Sequence, residues 1–235
     1  MEVQIAVAKI NKYASSESGD TVEVVERPQG GLSVVLADGQ SSGKGAKSIS
    51  TAVVRKVISL LAEGVRDGAA ARAASDFLYT DRSGKVSASL NILSVDLVTR
   101  TLVITRNNPA PVLLAYDENI KLINEECKPI GIYRDTRPVI SEVSLDKGLT
   151  TVIFTDGLLH AGSRYGEEMD FVTCLQCLLE EEDPSPQIIA DELIEQAIKL
   201  DHSRPSDDIS IVVLRVTGNK GDNIRRMNVR LPITP

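Results

Sequence analysis

Leu32-Ser33-Val34-Val35-Leu36-Ala37-Asp38-Gly39 is where the sequence changes character. Up to Ala37 the pattern is that of strands: residues 3–10, 21–26 and 32–37 are β-branched and apolar, and polar turns at 15–19 and 28–31 separate them. After Asp38 a Gly/Ser loop (39–45) leads into Ala52, Val53, Val57, Ile58, Leu60 and Leu61, which repeat at helical spacing along one broad face. A second helix is predicted from Asp67 or Gly68 to about Thr80. Strands are then predicted at 87–95, 101–105, 111–116, 120–123, 139–145 and 150–155. Helices follow at 170–179 and 186–200, a central strand at 209–216 and an edge strand at 223–231. This order does not alternate strand and helix regularly, which argues against a doubly wound parallel sheet. Strands on both sides of two helix pairs imply one layered α+β domain over residues 1–235, with helices outside packed strands.

Composition narrows the function classes. With 42% hydrophobic and 25% charged residues the chain can bury a core, and with 3% aromatics and no Trp that core must be Val, Ile, Leu and Ala. Lys and Arg total 26 against 33 acids, a net charge of −7, so nucleic-acid binding by bulk charge is disfavoured. No apolar run approaches the ~18 residues that span a bilayer, and Met1-Glu2-Val3-Gln4 opens no signal peptide. Three cysteines cannot all pair within the chain. The expectation is a cytoplasmic protein from a reducing compartment, with no membrane partner.

The informative feature is the placement of carboxylates. Val34-Val35-Leu36-Ala37 runs into Asp38-Gly39, and Thr151-Val152-Ile153-Phe154-Thr155 runs into Asp156-Gly157. Asp207-Asp208 stands directly before the apolar run 209–214. An isolated Asp-Gly is ordinarily a turn. Three such acids at the ends of apolar runs are different: if the last strand runs antiparallel to the other two, all gather at one edge of one core. Carboxylates held that close repel, and one is driven to keep its proton. A hard divalent cation removes that cost, and all-oxygen ligation suits Mg²⁺ or Mn²⁺. The glycines would let backbone approach an ion, with the Gly39 carbonyl a candidate ligand.

These residues carry a resemblance. Val35-Leu36-Ala37-Asp38-Gly39, Phe154-Thr155-Asp156-Gly157 and Arg204-Pro205-Ser206-Asp207-Asp208-Ile209-Ser210 resemble, in order and separation, the motifs of the metal-dependent PPM protein phosphatases, most of all the bacterial SpoIIE/RsbU/RsbX branch. Ser18-Gly19-Asp20 resembles that branch's upstream Gly-Asp, and Asn107-Asn108-Pro109-Ala110-Pro111 and Pro129-Ile130-Gly131-Ile132 its middle turns. The similarity covers nearly the whole chain and leaves no room for a sensor domain, as in the RsbX type. It implies a four-layer α-β-β-α sandwich of two mainly antiparallel sheets flanked by helix pairs. It also implies a serine/threonine phosphoprotein phosphatase acting on phosphorylated STAS-domain stressosome or anti-anti-sigma proteins in stress signalling. By the same resemblance two Mn²⁺ or Mg²⁺ ions activate water, with Asp38 bridging them. Gly39 and Asp20 would bind one ion, and Asp156 and Asp207 would complete the other. Asp207 is favoured over Asp208, where other PPM branches tolerate Asn. Asp38, Asp156 and Asp207 are therefore the expected catalytic set.

Departures from the family pattern are specific. Where the branch reads Asp-Gly-x-Gly-x-Gly, this chain has Gln40-Ser41-Ser42-Gly43, with Ser41 in place of the second glycine. Gln40 replaces the His that some members carry and cannot supply a titrating proton, so water must protonate the leaving alkoxide. Arg82, Arg106 and Lys44 read as solvated surface charges rather than phosphate ligands. Gly39–Lys44 fails the Walker A spacing, and a phosphoacceptor receiver is excluded by length and strand order. Cys174 and Cys177 fall in an apolar helix and read as buried core thiols. His160 and His202 read as surface or helix-end residues, and the run 180–183 as a solvated helix end. The competing reading is a PPM-like module without activity that binds phosphorylated partners.

Overall fold

The computed structural model describes residues 1–180, 183–218 and 222–232. Its strands are β1 (Glu2–Ile10), β2 (Asp20–Glu26), β3 (Leu32–Gly39), β4 (Ala88–Asp96), β5 (Thr101–Asn107), β6 (Val112–Tyr116), β7 (Asn119–Ile123), β8 (Val139–Ser144), β9 (Leu149–Phe154) and β10 (Ile209–Thr217). The helices are α1 (Gly43–Ala62), α2 (Asp67–Arg82), a short α3 (Asp156–Leu159), α4 (Phe171–Leu179) and α5 (Pro186–Leu200). One sheet has the order β1-β10-β9-β6-β7 and the other β2-β3-β4-β5-β8, with every pairing antiparallel.

The four layers follow from strict alternation along each strand. On β3, Val34 and Leu36 join Val212, Leu214 and Ile153 in the core between the sheets. Their neighbours Val35 and Ala37 pack against Val53, Val57 and Leu61 of α1 and Ala70, Ala74 and Leu78 of α2. The other sheet sends Val152, Phe154, Ile211 and Val213 outward against Leu175 of α4 and Ile189, Leu193 and Ala197 of α5. Both faces of each central strand are covered, so such strands read as unbroken apolar runs, as in buried sheets generally. Local chemistry marks the helix starts. Asp170 caps α4 by accepting the Thr173 amide, and Ser185 caps α5 through the Ile188 amide with Pro186 in the first turn. No helix among the described residues is long and apolar enough to cross a membrane.

Several expectations need correction. Among the described residues, those of the expected edge strand at 223–231 pair with no strand; Arg225 instead pins the segment to the β2–β3 turn through Glu26 and the Gly30 carbonyl. Its apolar side chains have no sheet face to cover, so Met227, Val229 and Leu231 lie exposed. Cys177 is exposed on the side of the helix away from Leu175 and Leu179, and Cys174 packs half-buried against the edge of the core. Of the acidic run at 180–183, residues 181 and 182 lie outside the described residues.

Candidate active site

Two strand ends and one strand start converge on one cleft. Asp20 and Asp38 are cross-strand partners at the ends of β2 and β3. Asp38 continues the column Val34-Leu36 and Asp20 continues that of Val22, so both project between the sheets where the apolar core stops. In the opposite sheet β10 lies antiparallel to β9, which sets the start of one beside the end of the other. Thr155 closes the gap between the sheets: its hydroxyl donates to Asp20 Oδ2 at 3.0 Å and accepts the Ser210 amide at 3.0 Å.

A cavity of about 490 Å³ opens there, lined by Asp38, Gly39, Asp156 and Asp207, with Lys12, Gln40, Pro109 and Pro129 among the walls. The three acids expected from sequence to act together thus share one cleft. Asp20, the cross-strand partner of the cleft residue Asp38, is 1% exposed, and its Oδ1 is buried without a hydrogen-bond partner among the described residues. Asp208 does not join them. Its Oδ1 accepts the Lys12 amide at 2.8 Å and its Oδ2 the Gly19 amide at 2.8 Å, so both oxygens serve backbone. Asp207 accepts only the neighbouring Asp208 amide and faces the cavity.

Crowding shows in the titration of these groups. Burial, then the charges of Asp20 and Asp156, a hydrogen bond with Asp20 and the charge of Asp207, push the Asp38 carboxyl up to about 9. Burial pushes Asp20 up to about 6 despite the Lys9 ammonium and the Thr155 hydroxyl. Asp156 is raised by lost hydration and then by Asp207. Among the described residues no three His, Cys, Asp or Glu side chains close on a single ion position. The acids stand around the cleft instead, near enough to disfavour one another's charge. A buried carboxylate oxygen without a donor and mutually repelling carboxylates are the surroundings that a hard divalent cation satisfies.

The glycine after each strand-end aspartate answers to packing. An added Cβ at Gly39 would fall 2.1 Å from the Ala46 carbonyl oxygen of α1, and one at Gly157 would fall 2.1 Å from the Asp208 carbonyl oxygen. Ser41, in the family's glycine position, holds φ +79, a left-handed conformation. Gln40 is fixed by Ser87, whose amide donates to Gln40 Oε1 at 2.8 Å. His160 is exposed at the end of α3, and His202 is exposed and stacks on Tyr165 with centroids 4.0 Å apart.

Sequence reasoning missed the walls. Arg106, expected at the surface, is among the largest fully buried side chains and donates to the carbonyls of Asn108, Ala110 and Glu125. Asn108 donates to the Phe154 carbonyl at 3.0 Å, bracing the Pro109 wall against the strand that delivers Asp156. Asn107 reaches the Lys128 carbonyl at 2.9 Å beside Pro129. The signal was an Arg-Asn-Asn run ending a strand, whose polar side chains serve neighbouring loop backbone. Lys44 is exposed and Arg82 half-exposed against Asp81, as expected.

Two five-stranded sheets between helix layers, with acids at the open end of their shared core, are the architecture of the PPM protein phosphatases. The phosphatase domain and regulatory fragment of SpoIIE from Bacillus subtilis is similar with a TM-score of 0.79 and 21% identity, over 94% of this chain and 64% of that one. RsbX in complex with magnesium is similar with a TM-score of 0.69 and 18% identity, over 92% and 96%. The family model for Stage II sporulation protein E (SpoIIE) matches residues 28–217, and the chain belongs to that family. Full-length stage II sporulation protein E of Bacillus subtilis is 21% identical over 217 residues, 92% of this chain. The chain spans only about a quarter (26%) of that relative's length.

Proposed function

We propose that the chain is a Mn²⁺- or Mg²⁺-dependent serine/threonine phosphoprotein phosphatase, with Asp20, Asp38, Gly39, Asp156 and Asp207 as the residues that hold two ions. The observation that carries this reading is the shared cleft of Asp38, Asp156 and Asp207, with the buried, unpartnered oxygen of Asp20 on the strand paired to Asp38. When bound, paired cations lower the pKa of water and neutralise phosphoryl oxygens, which is the main requirement of so slow a hydrolysis. The chain's own residues position and exclude. Thr155 orients Asp20, Asp208 frames the loops without spending Asp207, and the Pro109 and Pro129 walls limit solvent around the ester. Water adds to phosphorus, the phosphorus–oxygen ester bond breaks, and the departing Ser or Thr alkoxide takes its proton from water, because Gln40 is pinned and cannot titrate.

The substrate reading is a phosphorylated STAS-domain stressosome or anti-anti-sigma protein, supported by the resemblance to the RsbX and RsbU branch. Three free thiols suit a cytoplasmic setting. The test is p-nitrophenyl phosphate and a phosphorylated STAS protein with Mn²⁺, with Mg²⁺ and with EDTA, using Asp38→Asn alongside. Cation-dependent turnover that Asp38→Asn lowers at least ~10³-fold is expected. Absence of turnover with every cation would replace this reading by the phosphoprotein-binding module.

A further inference from the structure

Helix α1 carries Lys44, Lys47, Arg55 and Lys56 and no Asp or Glu, in a chain whose 33 acids outnumber its 26 Lys and Arg. Exposed helix faces gain from mixed signs, because opposite charges three or four residues apart attract. Here nothing compensates. The first turn holds no acid and the Ser42 side chain makes no capping bond, so the positive end of the helix dipole is unanswered as well. Lys44, Lys47, Ser48, Thr51 and Arg55 recur at helical spacing on one side of α1 and line a groove of about 450 Å³, where Glu17 is the one acid among the described lining residues.

The cations around this groove are of two kinds. The Lys47 ammonium is committed, donating to the Asp20 carbonyl at 2.7 Å and to the Thr21 hydroxyl at 3.0 Å. Lys9 donates to the same carbonyl at 3.0 Å, so two ammonium groups crowd one oxygen. Burial, and then the Lys47 charge, push the Lys9 ammonium below its ordinary value. Lys44 and Arg55 are exposed and, among the described residues, make no hydrogen bond or ion pair. The groove begins where the acidic cleft ends: Ser42 lines the cleft and Lys44, two residues on, lines the groove. From Lys44 to Arg55 the helix advances about 16 Å, which an extended peptide covers in about five residues.

We propose that this groove docks an acidic segment of the phosphorylated partner protein, with Lys44 and Arg55 pairing its carboxylates while the phosphorylated residue lies in the cleft. The inference rests on the proposed function for the phosphorylated residue, but the docking itself is testable without turnover. The full chain in EDTA is titrated by fluorescence anisotropy with a labelled peptide of six glutamates, with its six-glutamine counterpart and with a ten-nucleotide oligothymidylate. Turnover with Mn²⁺ is then measured on a phosphoserine peptide flanked by glutamates, on one flanked by glutamines and on p-nitrophenyl phosphate. The wild-type chain should bind the glutamate peptide in preference to the other two probes, and more weakly as salt rises. The double variant Lys44→Gln/Arg55→Gln should weaken that binding, and raise KM for the glutamate-flanked substrate, about 5- to 30-fold, the span of two exposed ion pairs. Its turnover of p-nitrophenyl phosphate should match wild type. Glu17→Gln should shift binding the other way, about two-fold tighter.

Equal affinity for the glutamate and glutamine peptides overturns the inference, as does glutamate binding that survives loss of both Lys44 and Arg55. Oligothymidylate bound as tightly as the glutamate peptide overturns it in favour of a general polyanion surface. Single variants at 44 and 55 carry the same comparison if the double variant fails to fold. Glutamate binding through Lys44 and Arg55 without turnover of any phosphoester defeats the phosphatase reading alone. Turnover indifferent to flanking glutamates defeats this inference alone, and a chain that neither binds nor hydrolyses defeats both.

Discussion

Asp208 Oδ2 takes the Gly19 amide at 2.8 Å, joining the start of β10 to the loop that delivers Asp20. The adjacent Asp207 makes no such tie and faces the cleft. On the proposed function, these two neighbouring aspartates divide structural and chemical work. Asp208→Ala should release two charge-assisted bonds to backbone and destabilise the fold by about 2–4 kcal/mol. Asp207→Ala should leave the melting temperature of the cation-free chain within about 2 °C while abolishing the magnesium-induced rise. Thermal melts with and without Mg²⁺ check both, and equal destabilisation by the two variants would contradict this division.

Stability should respond to pH in an unusual direction when cations are absent. Asp38 is raised to about 9 and Asp20 to about 6, whereas both ionise near the ordinary carboxylate value in the unfolded chain. Between these limits the folded state holds more protons than the unfolded one, so stability must fall as pH rises. In EDTA the melting temperature should drop from about pH 6 to about pH 9, and saturating Mg²⁺ should remove most of the drop. A cation-free chain that melts higher at the alkaline end would show that these carboxylates are not protonated in the fold.

Ser41 bears a left-handed backbone that costs a residue with a Cβ about 1–2 kcal/mol. Ser41→Gly should stabilise by up to about 1 kcal/mol, a rise of roughly 2–4 °C, because glycine's extra freedom when unfolded offsets part of the relief. Ser41→Val should destabilise. Calorimetric melts of the three forms rank them, and the order Gly, Ser, Val is required.

Gly39 and Gly45 stand six residues apart and should respond oppositely to alanine. The Gly39 Cβ would strike the Ala46 carbonyl, which belongs to backbone and cannot step aside, so a loss of about 1–3 kcal/mol is expected. Gly45 lies in the first turns of α1 with nothing within 4 Å of an added Cβ, so alanine there should gain about 0.5–1 kcal/mol. Urea titrations read both signs directly.

The layered fold was legible because apolar runs, turn residues and two helical periodicities all agree, and the ten strands among the described residues lie within a few residues of expectation. What alternation assigns to each sheet face was not legible: Val34 and Val35 look alike in sequence, and only their opposite partners separate them. Asp38, Asp156 and Asp207 announced themselves because a charge interrupting a buried run must be answered by something. Arg106 did not, since a guanidinium whose two terminal nitrogens bond to carbonyls leaves no charged partner in the sequence to betray it. The segment at 223–231 misled for the converse reason. Alternating Met227, Val229 and Leu231 look like a strand, but pairing requires an edge that local pattern cannot supply.

What Arg106 grips are carbonyl oxygens, and a carbonyl is the same group whatever side chain its residue carries. Arg106 holds Ala110 and Glu125 through their carbonyls, leaving the side chains of Glu125 and its neighbour Glu126 exposed and without structural duty among the described contacts. Mutational drift can rewrite those side chains while the path of the loop persists, and on the proposed function that would let substrate preference diverge without rebuilding the acidic cleft. A library randomised at 125 and 126 should return mostly folded clones, whereas one randomised at 106 should not.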